Sequence, residues 1–174
     1  MLQAHAVTLL GTHQQLMESF MPADHRQLFA AYTVRNVKTF TGMEGPGFSA
    51  TLCRDGRPVA SVLDEAVGAS FLFHWKSEAE ETALRTLCTQ VPPEQFEGMS
   101  IAYDMDQLVF RLVNDYESDK RLKRMAKTKT LFRIKGDAPD EWWTINAIGP
   151  KAVQYLATKY GDQLETVYGQ TISA

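Results

Sequence analysis

Between Lys120 and Lys135 the chain carries eight cationic side chains and no acid: Lys120, Arg121, Lys123, Arg124, Lys127, Lys129, Arg133 and Lys135. Several cations in one patch hold phosphate oxygens, giving binding that falls with salt and reads little sequence. Trp142 and Trp143 follow closely, and with Arg133 they could stack on unpaired bases. The same charges would also dock an acidic host protein, or an acidic surface of a second copy in a homo-oligomer. A third reading is a solvated face whose bases meet the end of a helix, where the dipole favours cations. Eight cations without an acid exceed what capping one helix requires. The whole chain has 18 basic and 21 acidic residues, a net charge of −3. Outside this stretch ten basic residues face all twenty-one acids, so one basic element sits on an acidic chain.

Other residue types with chemical potential lack the spacing that chemistry needs. His5, His13 and His25 are eight and twelve apart, so no helical face gathers them for a metal, and His74 stands alone between aromatics. Cys53 and Cys88 have no CxxC spacing, and neither has an evident paired histidine. The "GMEGPG" stretch at 42–47 has neither a Walker lysine nor a strand–loop–helix setting, so it reads as a connector. Carboxylates occur in pairs at Asp64-Glu65, Glu80-Glu81, Asp104 with Asp106, and Asp140-Glu141. Asp64-Glu65 ends a strand, a place where metal-dependent hydrolases hold acids, but surface solvation is the better reading. No serine lies in GxSxG. No catalytic residue, metal site or cofactor is assigned. A metal-dependent hydrolase using Asp64 or Glu65 stands behind the two binding readings.

Elements that would position the basic run follow from periodicity. Residues 5–31 read as helical, with Pro22 opening a second helix. From Thr33 the alternation of β-branched and aromatic residues predicts strands, and Asp55-Gly56 predicts a tight hairpin turn. With "ASFLFHW" these form an antiparallel meander of about four strands. Ser77 with Glu80 reads as a capping box for a helix that Pro92-Pro93 ends. Asp104 caps the next helix, whose face carries Met105, Leu108, Val109, Leu112, Val113 and Tyr116. "KTLFRIKG" and "EWWTINA" read as two strands joined by "DAPD". Gly149-Pro150 opens a last helix, Gly161 ends it, and "QLETVYG" is a closing strand or a further helical turn.

At 100° per residue, Lys120, Lys123 and Lys127 continue the side on which the apolar stripe ran. Leu122 falls at the edge of that sector and Met125 outside it. Lysine is not buried unpaired, so the helix either breaks near Ser118-Asp119 or projects with bases on that side. In the following strand Thr130, Phe132 and Ile134 form the expected core face, and Lys129, Leu131, Arg133 and Lys135 the opposite one. Adjacent Trp142 and Trp143 face opposite ways, so one indole can enter the core while the other stays near the surface as a contact point; the alternative is that flanking helices cover both.

The order of elements favours α+β: an antiparallel or mixed sheet with N-terminal helices, two central helices, a C-terminal β-hairpin and a last helix. Residues 1–32 are expected as a helical segment and 33–174 as one domain. The N-terminus lacks the basic region of a signal peptide, and no run of eighteen apolar residues is present, so a cytoplasmic protein without a membrane span is expected. "KTLFRIKGDAPDEWWTINA", "GPKAVQYLATKYGDQLETVYG" and "LCRDGRPVASVLDEAVG" resemble stretches of small uncharacterised proteins carried by bacteriophages and other mobile elements. That resemblance implies a protein of no enzyme class that binds host proteins or nucleic acid, in the host cytoplasm, and it assigns no residue a role.

Overall fold

The computed structural model describes residues 5–8, 24–96, 98–138 and 141–169. The fold is α+β with antiparallel pairing throughout the described sheets. The chain divides into two compact units, residues 17–116 and residues 1–16 together with 117–174. This differs from the expected division at residue 32. Its reason lies in strand β1 (His5–Thr8), which pairs antiparallel with a strand near the other end of the chain, with His5 opposite Thr144 and Thr8 opposite Glu141. Residues 5–8 are therefore strand where helix was expected, because a backbone edge far away in sequence takes up their hydrogen bonds. Residues 9–23 of the expected helical segment lie outside the described residues.

In the unit of residues 17–116, a short helix α1 (Asp24–Leu28) leads into β2 (Tyr32–Thr41), β3 (Pro46–Arg54), β4 (Arg57–Asp64) and β5 (Leu72–Trp75). These four strands form a meander in sequence order, as the alternation predicts. Asp55 and Gly56 both take positive φ, 48° and 74°, which matches the right-handed twist of the hairpin they close. Residues 42–45 of the "GMEGPG" stretch form the β2–β3 turn, and Pro46-Gly47 open β3. At Gly47 a Cβ would stand 2.6 Å from the carbonyl oxygen of Asp64, so the glycine serves close backbone approach. Helix α2 (Glu78–Cys88) starts where Ser77 accepts the Glu80 amide at 3.4 Å. A two-stranded hairpin, β6 (Glu94–Phe96) with β7 (Met99–Ile101), precedes helix α3 (Met105–Met125). Asp104 and Gln107 cap α3 reciprocally at 2.9 and 3.0 Å. The core of this unit gathers Phe29, Leu52, Val62, Leu84, Leu108 and Val109. Met105, Leu112 and Tyr116 pack partly buried against it, completing the apolar stripe read from the sequence.

In the second unit, β8 (Thr130–Ile134), β9 (Glu141–Ile145) and β10 (Leu164–Val167) join β1 in a sheet of order β1-β9-β8-β10. Helix α4 (Pro150–Tyr160) and a 3-10 turn (Gly161–Gln163) lie between β9 and β10. Ala152 and Leu156 of α4 pack with Phe132, Ile145, Leu164 and Val167 in a separate core on one sheet face. On the other side Tyr168 donates to Asp119 Oδ1 of α3 at 2.8 Å. The last turns of α3, residues 117–125, belong to this unit.

Candidate nucleic-acid interface

Helix α3 runs unbroken through Ser118-Asp119 to Met125, and the turn after it keeps winding, with Ala126 bonding back to Leu122 at 2.8 Å. What changes is the buried face. Up to Tyr116 the fully buried positions, Leu108, Val109 and Val113, are those of the apolar stripe, with Phe110 packed on its flank. Beyond it Leu122 is buried, and Met125 and Ala126 are half-buried. At 100° per residue Leu122 and Met125 lie about 110° and 170° around the helix from the centre of the first stripe, and Ala126 lies at its edge, in line with Leu108. The expectation that Leu122 sits at the edge and Met125 outside the stripe described only the first face. The former apolar side is thereby given to solvent, and there Lys120, Lys123, Arg124 and Lys127 fall within a sector about 100° wide. All four are exposed, as is Arg121 at the margin.

Two members of this stripe hold acids of their own helix. Lys120 Nζ is 2.8 Å from Glu117 and Lys123 Nζ 2.5 Å from Asp119, with the lysines 59% and 68% exposed. Pairs this exposed are worth about 0.2–1 kcal/mol and exchange readily with a stronger anion. Bonding to Lys123 is the leading cause holding the Asp119 carboxyl below its usual range, with Tyr168 adding to it. Arg124 and Lys127 make no ion pair among the described residues.

The strand half of the expected surface is corrected. Thr130, Leu131 and Phe132 are all buried, and Leu131 is only 1% exposed. Lys129 and Lys135 fall outside β8, half-buried and exposed respectively. Arg133 is turned into the structure, its side chain 18% exposed and its Nη2 3.2 Å from Glu165 Oε2. The strand has no solvated face to line with cations, because α4 covers one side of its sheet and Leu131 and Thr144 are buried on the other. The guanidinium also lies 5.9 Å from the centre of the Trp142 ring, which meets Tyr168 edge-on at 5.6 Å. Trp142 thus already contacts both Arg133 and Tyr168.

Trp143 faces the other way, as alternation requires, and packs on the Phe132 core. Its Nε1 donates to Asp137 Oδ2 at 2.9 Å, and the same oxygen accepts the Ile134 amide at 2.9 Å. Sequence reasoning passed over Asp137 as part of a turn. An aspartate just after a strand, before Ala-Pro, is the signal that was present, because such side chains bond nearby backbone.

The remaining candidates fall elsewhere. Asp64 Oδ1 accepts the Ala66 amide at 2.8 Å, a turn-forming role. Cys53 and Cys88 are buried free thiols. No group of three or more His, Cys, Asp or Glu side chains able to share a metal occurs among the described residues. Among those residues no helix is long and apolar enough to cross a membrane. Comparison with protein-family models, curated proteins and solved structures found no match to this chain.

Proposed function

We propose that this is a non-enzymatic binding protein, of phage or mobile-element origin and acting in the host cytoplasm, that contacts the phosphate backbone of nucleic acid. The contact surface is the basic end of α3, with Lys120, Lys123, Arg124 and Lys127 as phosphate partners and Arg121 at its margin. One observation carries the reading: a helix with an apolar stripe changes its buried face and offers a row of exposed cations on the vacated side. Trp142 is engaged with Tyr168 and Arg133, so base stacking leaves the site and sequence-tolerant backbone contact remains.

Fluorescence anisotropy with labelled single- and double-stranded DNA and RNA tests this. Four phosphate contacts on duplex DNA give a slope of log K against log salt of about −3.6, or roughly a 150-fold loss between 50 and 200 mM salt. Arg124→Glu with Lys127→Glu should abolish binding while the circular dichroism spectrum is kept. No binding to any of the four nucleic acids at low salt would sink the proposal. Partners captured from nuclease-treated host lysate would then favour docking to an acidic protein.

A further inference from the structure

A cavity of about 590 Å³ lies wholly within the unit of residues 17–116, between edge strand β5, one face of α2 and the start of α3. Its size is that of a small-molecule pocket. Strand alternation supplies one wall, since Phe71, Phe73 and Trp75 project to the same side of β5. The Phe73 and Trp75 rings stack with planes 6° apart and centroids at 5.4 Å, so they offer a continuous π surface. Such a surface attracts cations through the ring quadrupole.

The charges around the cavity have the matching sign. Glu81 and Arg85 line it from α2, but they neutralise one another across 2.7 Å. Asp104 and Asp106 line it from the start of α3 and leave an excess of two negative charges. Part of their capacity is structural, since Asp104 caps α3 and Asp106 Oδ2 accepts the Phe71 amide at 3.0 Å. Each carboxylate still has lone pairs to give. Burial first, and then Asp104 and Asp64, push the Asp106 carboxyl above its usual range, against the bonds from the Phe71 amide and the Ser70 hydroxyl that lower it. Tyr103 also lines the cavity, and its buried hydroxyl has no hydrogen-bond partner among the described residues. Arg111, a cation near Tyr103, lies over the Phe29 ring at 5.8 Å. Cys88 is no nucleophile here, because burial pushes its thiol up to about 11.

We infer that this cavity binds an organic cation on an apolar stem, an ammonium or guanidinium group whose N–H donors meet Asp106, Asp104 and Tyr103 while its stem lies on Phe73 and Trp75. A free arylalkylamine and the arginine side chain of a peptide share this chemistry.

The test follows the indole N–H signals of the full chain by NMR, assigned with Trp75→Phe and Trp142→Phe, during titration with three probes of one shape. These are 2-phenylethylamine, neutral 2-phenylethanol and anionic 3-phenylpropanoate, and a fourth arm uses acetyl-arginine amide. The amine or the arginine amide should shift the Trp75 signal and bind at least about tenfold more tightly than the alcohol, with the propanoate weakest. Whichever of the two binds more tightly names the source of the cation. Asp106→Asn, which keeps an acceptor for Phe71, should weaken the cation about tenfold and leave the alcohol unchanged. Equal binding of amine and alcohol overturns the inference without any variant. So does tighter binding of the propanoate, or no Trp75 shift from either cation at about 10 mM.

Discussion

Arg133 separates two accounts of the basic stretch, one in which the strand belongs to the binding surface and one in which it does not. In Arg133→Ala the ion pair to Glu165 and the contact with the Trp142 face are lost together. The ion pair contributes up to about 1 kcal/mol and the cation–π contact about 0.5–1 kcal/mol. Loss of the packed aliphatic stem adds a few tenths more. Glu165 is 41% exposed and rehydrates once alone, so no stranded buried charge enlarges the cost. The total is roughly 1–2.5 kcal/mol. With a urea slope of about 2 kcal/mol per molar, the unfolding midpoint should fall by about 0.5–1.2 M, followed by tryptophan fluorescence. Lys127→Ala, on the exposed end of α3, should stay within about 0.5 kcal/mol of the parent. On duplex DNA the pattern should invert, with Lys127→Ala reducing the salt slope by about 0.9 and Arg133→Ala leaving it nearly unchanged. If Arg133→Ala keeps the parent midpoint and lowers the salt slope as Lys127→Ala does, the assignment of Arg133 to the interior is refuted.

Asp137→Ala should cost roughly 2–4 kcal/mol in the same urea experiment, because one carboxylate oxygen serves both the Ile134 amide and the Trp143 indole. Asp137→Asn should recover part of that loss. The Tyr168–Asp119 bond predicts a pH dependence with two edges. Burial, and then the bond to Asp119, push the Tyr168 hydroxyl up to about 12, so its share of stability is whole below pH 10 and is lost as pH rises toward 12. Asp119 is depressed, so its share is present above about pH 3.9 and is lost as pH falls below that. The stability difference between the parent and Tyr168→Phe should therefore be flat at neutral pH and shrink at both ends. A difference that does not change with pH would show that the bond is absent in solution.

Much of the architecture is legible in the sequence. Asp55-Gly56 marks a hairpin because few residues tolerate two consecutive positive φ values. Ser77, Asp104 and Gly161 mark helix ends because each satisfies or frees backbone groups within a few residues of itself. The apolar stripe of α3 up to Tyr116 was equally readable, since it depends only on the helical repeat. The candidate site was half legible. The cationic stripe of Lys120, Lys123 and Lys127 was found from the same repeat, and Arg124 joins it. Arg133 was misplaced, because strand alternation assigns a residue to a face but does not say what covers that face.

By itself, then, the sequence determined the type and ends of most elements, the meander, the α+β class and the concentration of charge at 120–135. Each rests on interactions spanning a few residues or on a repeat within one element. Tertiary structure alone decided that β1 pairs with β9, that α3 changes its buried side after Tyr116, and that Arg133 meets Glu165 thirty-two residues on. It also decided that Phe73 and Trp75 line a cavity with Asp106. These depend on which surfaces meet, and a strand edge or an amphipathic face carries no local mark of the partner that will satisfy it.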